Sequence, residues 1–208
     1  IGTDYLDIYF CHRFDPDVEM EEIVRAMDDL VHQGKVLYWG TSVWEAEHIQ
    51  TAIDTARSVN GYLPAVEQPR YNMLDRHIES DILPTCSRNG LGLVVWSPLA
   101  QGMLTGKYKA GTPEGSRGAK TSWLDEALTD ENLRKVAALE KLSGELGITV
   151  GQLALAWELR LPEISRAITG APRPEQVDAN VAASDIDLGD EVLARIDTSL
   201  GNQASESA

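Results

Sequence analysis

The chain has 208 residues, with 18 basic and 33 acidic side chains giving a formal net charge of −15. A chain of this length can bury a real core, and a composition 43% hydrophobic and 25% charged lies outside the disordered class. So negative a field repels nucleic-acid backbones and anionic lipid surfaces, which argues against a general role at either.

Leu6 to Phe10 is short, apolar and aromatic, and predicts a strand. Asp15-Pro16-Asp17 then predicts a helix start, with Met20, Ile23, Val24, Met27, Leu30 and Val31 on one face and Gly34 as the stop. Val36 to Trp39, bounded by Gly40, predicts a second strand, followed by a helix from about Trp44 to Ser58. The cycle repeats with strand Ala65 to Gln68, a helix capped by Asp75 and carrying Ile78, Ile82 and Leu83, and strand Gly92 to Val95. A long loop rich in Gly, Lys, Thr, Ser and Arg runs from Trp96 to about Asp125, and loops of this length in a compact domain are usually functional. Two helices follow, one using Leu133, Val136, Leu139 and Leu142, the other capped by Thr149. Arg166 to Thr169 predicts a fifth strand, Pro174 opens another helix, Gly189 to Leu200 reads as the last, and the tail is polar.

Strands recurring about every thirty residues, apolar throughout, match βαβ units and a parallel α/β sheet buried on both faces. Periodicity alone leaves an open, doubly wound sheet and a barrel equally available. No Gly-x-Gly-x-x-Gly turn follows any predicted strand, so the dinucleotide fingerprint of the open form is missing. Polar residues gather instead at the carboxyl ends of the strands, namely His12, Ser42, Gln68, Ser97 and Gly170, and in a parallel barrel that rim carries the chemistry. Cys11 and Cys86 are the two cysteines, in neither a C-x-x-C pair nor a metal-spaced cluster, so no disulfide framework or metal site is suggested and a reducing, cytoplasmic setting fits. No apolar run approaches a membrane span, and the first residues lack a signal-peptide pattern. The chain opens on Ile1 and reads almost at once as a strand, so it is taken as the later part of something longer.

Six stretches, DIYFCHRFDP (7–16), MEEIVRAM (20–27), YWGTSVW (38–44), QPRYN (68–72), WSPLAQGMLTGKY (96–108) and GAPRPEQ (170–176), occur in an order that resembles the aldo-keto reductase superfamily. The nearest branch is that of voltage-gated potassium channel β subunits and their bacterial reductase relatives. The likeness runs from about residue 3 to residue 200, and residues 201–208 form the tail. It implies a (β/α)8 TIM barrel of which this chain supplies about the last five strands, with NADPH across the carboxyl rim and an aldehyde or ketone as substrate. The resemblance places His12 at the substrate carbonyl, Ser42 and Gln68 on the nicotinamide carboxamide and Trp96 against the nicotinamide ring. It also implies that the loop Ser97, Pro98, Leu99, Ala100, Gln101 and Gly102 touches the cofactor with Gly170. Lys107 and Arg117 would grip its phosphates, and Gln176 and Asn180 its adenosine end. Taken alone, Lys107 and Arg117 could be solvated charges, Trp96 core and Ser42 a helix cap.

The chain departs from the branch at Val43, Gly115, Pro172 and Ala179, which puts contacts at the adenosine end in question. NADP over NAD rests on Lys107 and Arg117. The family's catalytic Asp, Tyr and Lys come from its first three strands, and Asp54-Thr55-Ala56 with Tyr62 only mimics that segment, since it follows His12 and lies in a helical stretch. The expected activity is therefore NADPH-dependent carbonyl reduction by a parent protein, with a small carbonyl compound as partner and room for a homo-oligomer. A non-catalytic, NADP-sensing regulatory subunit is the alternative, and His12 favours the enzyme because channel β subunits carry Asn at that point. Five strands without closure leave unpaired edges, through which the segment alone is expected to associate.

Overall fold

The computed structural model describes residues 2–109, 111–114, 119, 124 and 127–201. These fall into two compact units. Unit 1 comprises Ile1–Arg70, His77–Val95 and Glu163–Arg166, and unit 2 comprises Tyr71–Arg76, Trp96–Pro162 and Ala167–Ala208.

The strands are β1 (Leu6–Cys11), β2 (Val36–Thr41), β3 (Val66–Glu67), β4 (Gly92–Trp96) and β5 (Ile164–Ile168), in spatial order β1-β2-β3-β4-β5, and all of their residues but Trp96, Ala167 and Ile168 belong to unit 1. The register is parallel, with Ile8 opposite Tyr38, Thr41 opposite Glu67 and Val66 opposite Gly92. This is the parallel α/β sheet of part of a (β/α)8 barrel. The two-residue β3 is shorter than the predicted strand 65–68, yet the ladder extends to both flanks: Ala65 N–H donates to Trp39 O (2.9 Å) and Gln68 N–H to Thr41 O (2.8 Å). Gly40 makes the β2–β3 approach possible, because a Cβ there would stand 2.3 Å from Val66 O.

Helices α1 (Met20–His32), α2 (Ala46–Ser58) and α3 (Ile82–Asn89) pack in unit 1 through the apolar faces expected from their spacing, burying Val24, Ile49, Ile53, Ile82 and Cys86 beside Trp39. Several boundaries differ from expectation. The α1 helix starts at Met20, because the Asp15 carboxylate accepts Asp17 N–H (3.0 Å) and holds a turn through the proline. The helix expected at Asp75 begins later. Asn72 and Asp75 exchange backbone hydrogen bonds (3.1 and 3.0 Å), a 3-10 turn covers His77–Glu79, and the cap of α3 is Asp81, which accepts Ile82 N–H at 2.6 Å. Burial on both faces fails at the β1 side, where Ile8 and Tyr9 are exposed together with Leu37 and Tyr38 of β2. Neighbouring strand residues point to opposite faces, so both faces of this margin are open. Among the described residues β1 pairs with β2 alone.

Unit 2 is helical. It contains α4 (Asp130–Glu145), α5 (Val150–Leu159), α6 (Pro174–Val181) and α7 (Asp190–Leu200), with 3-10 turns at Ala100–Thr105 and Ala182–Asp185. Thr149 caps α5 as expected, in a capping box with Gln152, and Pro174 opens α6. Six consecutive residues of α5, Leu153 to Glu158, are buried. Among them Trp157 stacks on Tyr71 at 5.3 Å, with the Arg160 guanidinium 3.8 Å from its ring and that of Arg76 at 5.2 Å. No described helix is long and apolar enough to cross a membrane.

Candidate functional site

The expected rim residues follow their strands directly. His12 succeeds Cys11 of β1, Ser42 succeeds Thr41 of β2, Gln68 succeeds Glu67 of β3, and Ser97 succeeds Trp96, the last residue of β4. Gly170 lies two residues beyond Ile168 of β5.

Within unit 1, Ser42 and Gln68 are brought together. The buried Ser42 hydroxyl donates to Gln68 O (3.0 Å), and Ser42 N–H donates to Cys11 O (3.0 Å), so the ends of β1, β2 and β3 are tied across one line. Ser42 does not cap α2, whose N-cap is Glu45. His12 is exposed, and its carbonyl accepts from the Arg13 guanidinium.

Beside Ser42 lies a residue that pattern-reading passed over. Glu67 is 0% exposed, and its carboxylate accepts the Thr41 hydroxyl, Val43 N–H (2.7 Å) and Trp44 N–H (3.4 Å). Burial pushes its pKa up to about 7, against the opposing pull of those three donors and the Arg13 charge. Its only signal in the sequence was an acidic residue inside a strand otherwise expected to be buried. Burial also pushes the thiols up, Cys11 to about 11 and Cys86 to about 12, the latter aided by the Glu67 charge, so both stay protonated and poorly nucleophilic at neutral pH.

Within unit 2, the segment after Trp96 turns sharply. Ser97, Ala100 and Gln101 adopt φ of 61°, 45° and 58°, and Gly102 follows at 97°. Left-handed conformations at non-glycine residues cost roughly 1–2 kcal/mol each, and such strain clusters at ligand clamps. Internal bonds hold the turn. Gln101 Nε2 donates to Ser97 Oγ (2.7 Å), Ala100 N–H to Ser97 O (2.9 Å) and Gly102 N–H to Leu99 O (2.8 Å). Asn72, 3% exposed and also missed, donates from Nδ2 to Ser97 O at 3.1 Å. Pro98 and Ala100 are buried, whereas Leu99 is half-buried. The exposed Lys107 lies over the Tyr108 ring (5.1 Å) and against Gly102, where a Cβ would come within 2.7 Å of its Nζ. Trp96 is half-buried and Gly170 exposed. Gln176 and Asn180 stand one turn apart on α6, and Gln176 Oε1 is buried with no hydrogen-bond partner among the described residues. Arg117 lies outside the described residues. Among the described residues no three His, Cys, Asp or Glu side chains are placed to hold a metal ion.

The model of the aldo/keto reductase family matches residues 1–200. The chain belongs to the aldo/keto reductase family. Among curated relatives, a protein of Arabidopsis thaliana named "Probable voltage-gated potassium channel subunit beta" is 44% identical over 191 residues, 89% of this chain and 58% of that protein. One of the same name from Oryza sativa subsp. japonica matches with equal identity and coverage. A protein of Schizosaccharomyces pombe named "Putative voltage-gated potassium channel subunit beta" is 45% identical over 205 residues, 95% of this chain and 60% of that protein. This family member thus spans about three-fifths of the length of the curated relatives it matches.

Proposed function

We propose that the intact protein is an NADPH-dependent reductase of aldehydes or ketones and that residues 1–200 supply the greater part of its cofactor site. The observation that carries this reading is the Ser42–Gln68 pair, a buried hydroxyl locked to the end of the neighbouring strand where a carboxamide needs fixed polar partners. The residues fit a nicotinamide nucleotide in two further respects. The strained turn at 97–102 is held ready by Asn72 and its own hydrogen bonds, and Gln176 presents a buried oxygen that has no hydrogen-bond partner among the described residues.

In this reading NADPH supplies a hydride when bound, and the protein's part is to hold and orient. Ser42 and Gln68 fix the carboxamide, Trp96 lies on the ring, and Pro98, Leu99 and the rest of the 97–102 turn follow the phosphates. Lys107, joined by Arg117, neutralises phosphate charge, which selects NADP over NAD. Gln176 and Asn180 hold the adenosine end, beside Gly170. His12 donates a hydrogen bond to the substrate carbonyl oxygen and orients it. The acid that protonates that oxygen is expected, from the resemblance, to be a Tyr with Lys and Asp partners outside this chain. A positioned acid of that kind is worth about 10²–10⁴ in rate.

A second reading, an NADP-sensing subunit that regulates a partner without turnover, is favoured by the names of the relatives. NADPH oxidation by the intact protein, followed across a panel of small aldehydes with and without His12→Ala, separates the two. Aldehyde-dependent oxidation that falls on substitution supports the reductase. Tight binding with no turnover supports the sensor, and no binding overturns both.

A further inference from the structure

The carboxyl of Glu67 is buried, charged groups there are expensive, and a well-packed apolar pair would stabilise two parallel strands as well. Its contacts converge on one short turn. Thr41, directly opposite in register, gives its hydroxyl, and the next two amides but one, those of Val43 and Trp44, give their N–H groups. Ser42 sits in the middle of that turn. Val43 has φ 58°, and a left-handed conformation at a β-branched residue is an outlier that persists only where surrounding bonds determine it. The 2.7 Å bond from Val43 N–H to the carboxylate is such a bond. On the other side, Gln68 follows Glu67 in the chain, and its N–H reaches back to Thr41 O.

We infer that Glu67 is a positioning residue for the proposed nicotinamide contacts, its carboxylate clamping the Thr41–Trp44 turn so that Ser42 and Gln68 are held in one fixed relation. The inference rests on the nucleotide reading above. Glu67 touches neither substrate nor cofactor in this account and acts through Ser42. The carboxylate accepts from three donors. Once protonated it offers one donor and fewer acceptor sites, the Thr41 hydroxyl has to reverse, and the Val43 turn loses part of its restraint. The groups that bear on its charge are Arg13, from the segment after β1, and the Cys86 thiol of α3. Since burial raises its pKa to about 7, the clamp loosens as pH falls through neutrality.

The test is calorimetric titration of the intact protein between pH 6 and pH 8 with two probes: NADPH, and 2′,5′-ADP, which shares the adenosine 2′-phosphate but has no nicotinamide. Wild-type affinity for NADPH should fall about tenfold from pH 8 to pH 6, the equivalent of roughly one hydrogen bond to a charged group. Affinity for 2′,5′-ADP should change only as far as protonation of its own phosphates, with a second pKa of about 6, dictates, and identically in wild type and Glu67→Gln. Glu67→Gln should bind NADPH about tenfold more weakly at pH 8 with no slope beyond that of the 2′-phosphate, and Val43→Gly in that background, which accepts φ 58° without strain, should recover part of the loss. A Glu67→Gln profile that superimposes on wild type, or an equal loss for both probes, overturns the inference while leaving the nucleotide reading intact. Wild-type protein that binds neither probe overturns the nucleotide reading itself.

Discussion

Glu158 offers a stability test drawn from the opposite situation, a buried carboxyl with nothing to hold. It ends the buried run of α5, is 0% exposed, and neither of its oxygens has a hydrogen-bond partner among the described residues. Burial drives its pKa well above the ordinary carboxylate value of 4.5, with only the nearby Arg160 charge opposing. Even protonated, an unpartnered buried polar group costs about 1–3 kcal/mol. Replacement by Met, unbranched and of similar length, removes that cost, so Glu158→Met should stabilise the protein by about 1–3 kcal/mol at pH 5 and by more as pH rises to 8. For a chain of this size about 1–3 kcal/mol is a rise in Tm of about 2–12 °C. The sign with pH is equally specific. A folded-state pKa raised above the unfolded one gives stability that is complete below about 4.5 and is lost as pH rises toward the folded value, by at most ~1.36 kcal/mol per pH unit. Glu158→Met and Glu158→Gln should both lack this slope, and Glu158→Gln, with its amide equally unpartnered, should gain little at pH 5. Thermal melts from pH 5 to pH 8 read all three. A Met variant that melts below wild type, or keeps the wild-type slope, would refute the reasoning.

Three further outcomes follow from the packing. Gly40→Ala should destabilise by about 3 kcal/mol or prevent folding, because the new Cβ meets Val66 backbone oxygen at 2.3 Å; chemical denaturation showing a loss under about 0.5 kcal/mol contradicts the close approach of β2 and β3. Thr149→Ala should cost about 1 kcal/mol through loss of the capping box that satisfies the first turn of α5, and an unchanged denaturation midpoint would count against it. The exposed Ile8 and Tyr9 on the β1 margin predict concentration-dependent association of the isolated 208-residue chain, which sedimentation velocity should detect; a monomer at high concentration disagrees.

The βα alternation and the strand-end residues were legible because they depend on local spacing: a short, largely apolar run followed by a polar residue, at β1, β2 and β4. The Thr149 cap and Pro174 at the start of α6 were legible for the same reason. What escaped depended on register between strands or on competition among local bonds. The Glu67 cluster exists only because Thr41 stands opposite it, which no periodicity reveals. Asp75 looked like a helix cap, but Asn72 took its backbone groups into a turn, and Asp81 capped the helix instead. The left-handed Val43 was invisible because nothing in valine's own preferences predicts φ 58°; the restraint comes from a side chain 24 residues away. Apolar residues in β1 suggested burial on both faces, whereas burial also needs neighbours, and β1 has one described strand beside it.

The central claim is that Ser42 and Gln68 hold the carboxamide of a nicotinamide. Crystals of the intact protein grown with NADP⁺ measure this most directly. The carboxamide should lie within hydrogen-bond distance of Ser42 Oγ and the Gln68 side chain. A nucleotide bound elsewhere, or crystals that take up none at millimolar concentration, would contradict it.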